Sequence, residues 1–129
     1  MARILVVDDE IGIRGAVQRA LERAGHEIML AVDGLEAART IREVGADLAL
    51  IDIHMPNMDG MELLITLQAI APTMPVVVMS GGDRNRRMGR LADVTLMGAT
   101  GILTKPFTLG ELRDVVTRAL AAGRQADTG

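Results

Sequence analysis

Apolar and polar positions along this chain fall in short blocks whose period switches between strand-like and helix-like. Ile4-Leu5-Val6-Val7 is an apolar run bounded by polar residues, which predicts a buried strand. Ile13, Ala16, Val17, Ala20, Leu21 and Ala24 then recur at helical spacing, and Gly25 stops that helix. Glu27 to Ala31 reads as a second strand, and Leu35, Ala38, Ile41 and Val44 form a second helical stripe closed by Gly45. Leu48 to Ile51 predicts a third strand. The loop Asp52 to Gly60 follows, with Pro56 and the turn pair Asp59-Gly60. Met61 to Ala71 reads as helix, and Pro75 to Met79 as a fourth strand rich in valine. Asp83 to Gly98 is expected to be helical, with the poorest stripe of the set. Gly101 to Thr104 makes a short fifth strand. Leu109, Leu112, Val115, Val116, Ala119 and Leu120 make a clean final helix. Residues 123 to 129 are small and polar and are expected to fray, which leaves 1 to 122 as the folded domain.

Five strands alternating with five helices predict an α/β domain, a doubly wound parallel sheet covered on both faces in three layers. The 129 residues suit one domain with a real core. A hydrophobic share of 49% excludes a disordered chain. The apolar runs are far too short to cross a bilayer, so no membrane insertion is expected. The absence of cysteine excludes disulfides, thiolate metal sites and a Cys nucleophile. No signal-peptide pattern follows Met1, and a cytoplasmic location is the simplest expectation. A net charge of -3 and the lack of Trp and Tyr argue against direct contact with nucleic acid.

In open parallel sheets, ligands bind beyond the carboxyl ends of the strands. Here strand one ends into Asp8-Asp9-Glu10, strand three into Asp52, strand four into Ser80-Gly81-Gly82 and strand five into Lys105-Pro106. If these are the central strands, one rim gathers carboxylates, a hydroxyl and an ammonium. Clustered carboxylates repel and need a cation, and oxygen-only ligands favour Mg²⁺ or another hard divalent ion such as Mn²⁺. Such an ion also neutralises a phosphoryl group in transfer. A carboxylate can then act as nucleophile and form an aspartyl phosphate. Each residue has a plainer reading. Asp8 and Asp9 suit helix capping, Asp52 a self-bonded loop, Ser80 a turn, and Lys105 a solvated surface. The lysine is nevertheless distinctive, because the chain holds 13 Arg and a single Lys. A compact ammonium has its own use at a crowded anion site. The conjunction of four strand ends is far more specific than any one of them.

These residues resemble the receiver domain of two-component response regulators of bacterial signalling. The resemblance rests on VVDDE (Val6 to Glu10), DIHMPNMDG (Asp52 to Gly60), VVVMSGG (Val76 to Gly82) and LTKPF (Leu103 to Phe107), and it runs from about Arg3 to Ala122. It implies a flavodoxin-like (βα)5 fold with strand order 2-1-3-4-5. It implies that Asp52 is the phosphoacceptor and, with Asp9, a direct Mg²⁺ ligand. Asp8 would support the ion through water, and the backbone carbonyl of His54 would be the third protein ligand. Ser80 would be the switch hydroxyl, Lys105 the phosphoryl-binding lysine, and the Lys105-Pro106 bond cis. The donor would be a phosphohistidine on a sensor histidine kinase or histidine phosphotransfer protein, and the reader a downstream protein target.

Some features depart from that pattern. Ile102 stands three residues before the lysine, where the family usually has an aromatic side chain that swings inward. The segment from Ser80 to Gly98 is somewhat long and carries Arg84, Arg86, Arg87 and Arg90, which read as a solvated face or as a docking patch for an acidic partner. The chain ends after its final helix, so a stand-alone, chemotaxis-regulator-like domain is expected. Three functions compete. The first is a phosphorylation switch that is not a turnover enzyme. The second is a phosphorelay intermediate that passes the group to another histidine, which Ile102 favours. The third is a small Mg²⁺-dependent phosphohydrolase, for which the chain has little length to build a substrate pocket.

Overall fold

A computed structural model of the chain describes residues 2–8, 10–53, 60–80 and 98–128. Its elements are β1 (Arg3–Val7), α1 (Ile11–Arg23), β2 (Glu27–Ala31), α2 (Gly34–Glu43), β3 (Leu48–Asp52), α3 (Gly60–Ile70), β4 (Val76–Ser80), β5 (Gly101–Thr104) and α4 (Leu109–Thr128). The helix expected over 83 to 98, with its arginines, lies outside the described residues. The strands form one parallel sheet in the order β2-β1-β3-β4-β5, as the resemblance implies.

Strand residues alternate between the two faces, and each face has its own core. Ile4, Val6, Leu48, Leu50, Val77 and Met79 pack with Val17 and Leu21 of α1 and with Leu112 and Val116 of α4. Leu5, Val7, Ala49, Ile51, Val76 and Val78 pack with Ala37 and Ile41 of α2 and with Leu63, Leu64 and Leu67 of α3. This is why β1, β3 and β4 read as unbroken apolar runs: both faces are covered, so no position tolerates a polar side chain. The buried polar residues among those described are Asp8, Asp52 and Ser80, all at the carboxyl ends, while Arg3 at the amino end of β1 is only half-buried.

Local signals set the helix ends. Gly25 and Gly45 take positive φ values of 95° and 83° after α1 and α2, a conformation that costs glycine little. Asp33 caps α2 by accepting from the Glu36 amide at 2.9 Å. Thr108 and Glu111 form a reciprocal capping box at α4, with contacts of 3.0 and 3.2 Å. The α4 helix does not stop at Ala122, where the sequence pattern ends the domain, but runs on through Thr128. Gly123 explains the difference. It is buried against Pro75, so close that a Cβ there would lie 2.8 Å from the ring, and this contact carries the helix past the end of its apolar stripe.

Strand β5 approaches α4 equally closely. A Cβ on Gly101 would lie 2.9 Å from Cγ2 of Val115, a stiff β-branched side chain on a helix. We therefore expect Gly101→Ala to cost roughly 1–3 kcal/mol through overpacking. Urea unfolding checks this, and an unchanged midpoint would contradict the close packing of β5 on α4.

Candidate functional site

The carboxyl ends of β1, β3, β4 and β5 converge on one rim, and the parallel register sets their order. Asp52 pairs across from Met79, and Ser80 across from Thr104. Asp8 follows β1 directly, and its amide donates to the Ala31 carbonyl at 3.2 Å. Lys105 follows β5, and its amide donates to the Ser80 carbonyl at 2.6 Å, tying the lysine to the serine's strand. The Lys105-Pro106 peptide is cis.

At the centre of the rim stands the Lys105 ammonium. Its Nζ lies 3.1 Å from Oδ2 of Asp52 and 3.3 Å from Oδ2 of Asp8, and 4.0 Å from Oε1 of Glu10. Asp8 and Asp52 are buried, at 0% and 3% exposure. Asp8 also accepts the Glu10 amide at 2.9 Å through Oδ1, while its backbone carbonyl accepts from Arg14 Nη1 at 3.0 Å. Ligand oxygens of Asp8, Glu10 and Asp52 all lie within 4.8 Å of one another. Ser80 is fully buried, and its Oγ has no hydrogen-bond partner among the described residues. A buried hydroxyl without a partner is costly, and such groups are uncommon outside functional sites.

Burial raises the Asp8 carboxyl above its ordinary value, against the opposing pull of the Glu10 amide and the Lys105 ammonium; the neighbouring Asp52 adds to the rise. Burial alone would push the Lys105 ammonium down, but the charges and hydrogen bonds of Asp52 and Asp8 together outweigh it and the net direction is upward. The lysine is therefore firmly protonated at neutral pH and serves as a fixed positive charge.

Of the residues singled out from the sequence, Asp8, Asp52 and Lys105 come into direct contact, and Ser80 ends the adjacent strand. Asp9 and His54 lie outside the described residues. Glu10 and Arg14 are additions. Glu10 was visible as the third acid of the run, but its reach back to the lysine was not. Arg14 carried no signal beyond its place one turn into the helix. Ile102 is half-buried and packs against the core that underlies α2 and α3.

Three oxygen ligands, two of them buried, converge beside a single ammonium. That donor set fits a small hard cation with several waters, Mg²⁺ or Mn²⁺. The orphaned Ser80 hydroxyl and the Lys105 ammonium are suited to the oxygens of an anion placed on Asp52. Fold and site together define a doubly wound α/β domain that gathers buried carboxylates, one ammonium and an unpartnered hydroxyl on one rim.

The comparisons with known proteins agree. The response regulator receiver domain matches residues 4–117. The chain is similar to the transcriptional regulatory protein PrrA of Mycobacterium leprae, 38% identical over 110 residues that cover 85% of this chain and 46% of PrrA. It thus spans about half the length of such relatives. It is also similar to the sporulation initiation phosphotransferase F of Bacillus subtilis, 30% identical over 118 residues, covering 92% of this chain and 93% of that protein. Among solved structures, the chemotaxis response regulator CheY4 of Vibrio cholerae superposes with a TM-score of 0.83 at 30% identity, covering 92% of this chain and 98% of that one. The receiver domain of NtrX from Brucella abortus gives 0.85 at 34% identity, covering 92% and 98%. The chain belongs to the response regulator receiver domain family of two-component systems. Among the described residues no helix is long and apolar enough to cross a membrane.

Opposite substitutions in the cluster should have opposite effects. The folded-state Asp8 carboxyl is raised above 3.8, so the fold favours its neutral form: that contribution is fully present below 3.8 and is lost as pH rises through the folded value, where the buried carboxyl must ionise. At neutral pH, Asp8→Asn removes that penalty and can still accept the Glu10 amide. We expect the metal-free melting temperature to rise by about 4 °C, equivalent to roughly 1 kcal/mol. Lys105→Gln leaves two buried carboxylates facing each other and should lower stability by about 3 kcal/mol. Calorimetry in EDTA checks both, and a fall for both variants would contradict a shared, over-acidic site.

Proposed function

We propose that this domain is a phosphorylation switch in which Asp52 accepts a phosphoryl group from a phosphohistidine donor and a protein partner reads the result. The observation that supports this best is the conjunction at one rim of the buried Asp52 carboxylate, the Lys105 ammonium at 3.1 Å and the unpartnered Ser80 hydroxyl. In the transfer, an Asp52 oxygen attacks phosphorus in line with the donor's imidazole nitrogen. The P–N bond breaks as the O–P bond forms, and the imidazole nitrogen takes up a proton. Lys105 first holds Asp52 in place and then follows the charge, donating to phosphoryl oxygens. Ser80 supplies a second donor, which removes the cost of leaving its hydroxyl unsatisfied.

Asp8, Glu10 and Asp52 would hold Mg²⁺ or Mn²⁺, with Asp9 and the His54 carbonyl contributing as the resemblance implies; the bound ion would neutralise the charge that develops on the transferring group. The chain phosphorylates and dephosphorylates itself and does not turn over an external substrate. The donor is a sensor histidine kinase or a histidine phosphotransfer protein, and the reader is a separate protein target or a further domain. The switch acts in the cytoplasm by population shift. Closing Ser80 and Lys105 on the phosphoryl group biases β5 and the elements beside it toward a second packing.

A second reading is a relay, in which Asp52 returns the group to another histidine. Ile102 favours it, because a branched aliphatic side chain in that position repacks without the swing of an aromatic ring. The likeness to a phosphotransferase that this chain covers almost end to end points the same way.

Incubation with acetyl phosphate and Mg²⁺, followed by intact-mass spectrometry, should add one phosphoryl group to the native chain. The adduct should disappear in Asp52→Asn and with EDTA. Native protein that binds Mg²⁺ yet takes neither the phosphoryl group nor beryllofluoride would overturn the reading. For the relay, label on Asp52 should return rapidly to a phosphotransfer histidine, and a label lost only to water would reject it.

A further inference from the structure

The phosphoacceptor rim accounts for the side chains of Asp8, Asp52 and Lys105 and leaves one contact unexplained, the bond from Arg14 to the backbone of Asp8. Arg14 is half-buried in α1, and its Nη1 donates to the Asp8 carbonyl at 3.0 Å. It makes no other hydrogen bond and no ion pair among the described residues, although Asp8 and Glu10 lie close along the chain. Arg3 and Arg118, by contrast, pair with the carboxylates of Glu27 and Asp114.

The helix itself gives no reason for the contact. A cation near the amino end of a helix opposes the macrodipole. The start of α1 is also weakly specified. Its N-cap residue Glu10 makes no side-chain cap, its first turn holds no acid, and Gly12 and Gly15 disfavour helix. The turn from β1 into α1 is pinned through Asp8 instead. Asp8 Oδ1 accepts the Glu10 amide at 2.9 Å, Oδ2 meets Lys105 Nζ at 3.3 Å, and the carbonyl takes the Arg14 bond. Asp8 is fully buried, so its carbonyl depends on a protein donor, and leaving it without one is unfavourable. Helical side chains lean toward the amino end, which lets Arg14 reach back over the first turn to a residue 6 positions earlier.

We infer that Arg14 is a positioning residue for the divalent cation of the rim: by holding the Asp8 carbonyl it fixes the turn that brings the Asp8 and Glu10 carboxylates to Asp52. The inference rests on the proposed cation site and adds the residue that sets its affinity. Ligand oxygens of Asp8, Glu10 and Asp52 lie within 4.8 Å of one another only while that turn is held. Groups that orient metal ligands without touching the metal govern its affinity. Two effects of Arg14 have opposite signs. Its charge repels a cation, so charge alone predicts tighter binding when it is removed. Its hydrogen bond orders the ligands, so positioning predicts weaker binding.

The test compares Arg14→Met, which keeps the stem and a similar helix propensity but loses donor and charge, with Arg14→Lys, which keeps both. Arg14→Gln, whose amide is too short to reach the carbonyl, is a second neutral variant and should behave as Arg14→Met. Mn²⁺ binding to the whole chain is read from the loss of the free-ion EPR signal, after calorimetry in EDTA has shown each variant to be folded. Arg14→Met should bind Mn²⁺ about tenfold more weakly than the native chain, and Arg14→Lys within about threefold of it. The Mg²⁺ concentration that half-saturates phosphorylation by acetyl phosphate should rise in Arg14→Met by the same factor. Tighter Mn²⁺ binding by Arg14→Met would leave only the charge effect and overturn the inference. So would unchanged binding with a lowered melting temperature, the mark of a merely structural contact, or an equal loss in Arg14→Met and Arg14→Lys. Native protein that binds no Mn²⁺ would overturn the cation site itself, and the inference with it, an outcome distinct from the others.

Discussion

The contact on which the rest of this structure depends is the one between the Lys105 ammonium and the carboxylates of Asp8 and Asp52. Two acids taken out of water in one place are strongly unfavourable, and a single protonated lysine makes the arrangement tolerable. The same three groups explain why the site is poised. The lysine is shared rather than saturated, Glu10 adds a further acid at the edge, and the arrangement stays anion-rich until a small cation enters. A group that is only partly neutralised is free to exchange partners, and in the proposed switch a phosphoryl group on Asp52 would offer Lys105 a better one.

That cluster can exist only because the sheet is rigid. Two apolar cores clamp β1, β3 and β4 from both sides, and the parallel register delivers Asp8, Asp52 and Ser80 to the same edge. The lysine arrives on β5, whose backbone is tied to the Ser80 carbonyl and whose glycine lets α4 approach closely. Any shift of Lys105 or Ser80 is therefore mechanically close to β5, to Ile102 on one face and to α4 on the other. Because packed cores switch between discrete arrangements and do not deform smoothly, a local exchange of hydrogen-bond partners has a route to the surface.

Much of this was legible in the sequence because both-face burial writes itself as apolar runs. The strands read at 4–7, 48–51 and 75–79 fall within a residue of those observed at each end, and the acids, serine and lysine at the strand ends marked the rim. Partner choice within the rim was less visible. Nothing in the residue order says that Lys105 bridges Asp8 as well as Asp52, or that Arg14 reaches back to the Asp8 carbonyl, since these contacts link positions far apart or a turn away. The end of α4 was placed too early because residues 123 to 129, small and polar, carry no apolar stripe, whereas the missing side chain of Gly123 lets the helix lie against Pro75.

The central claim is that the buried carboxylate at the end of β3, and no other acid of the rim, carries the phosphoryl group. The most direct measurement is to phosphorylate the chain, reduce the acyl phosphate with borohydride, and locate the resulting homoserine by peptide mass spectrometry. Homoserine at position 52 alone is the result the account predicts. Homoserine at Asp8 or Glu10, or a phosphoryl group that resists reduction because it sits on another type of side chain, would contradict it.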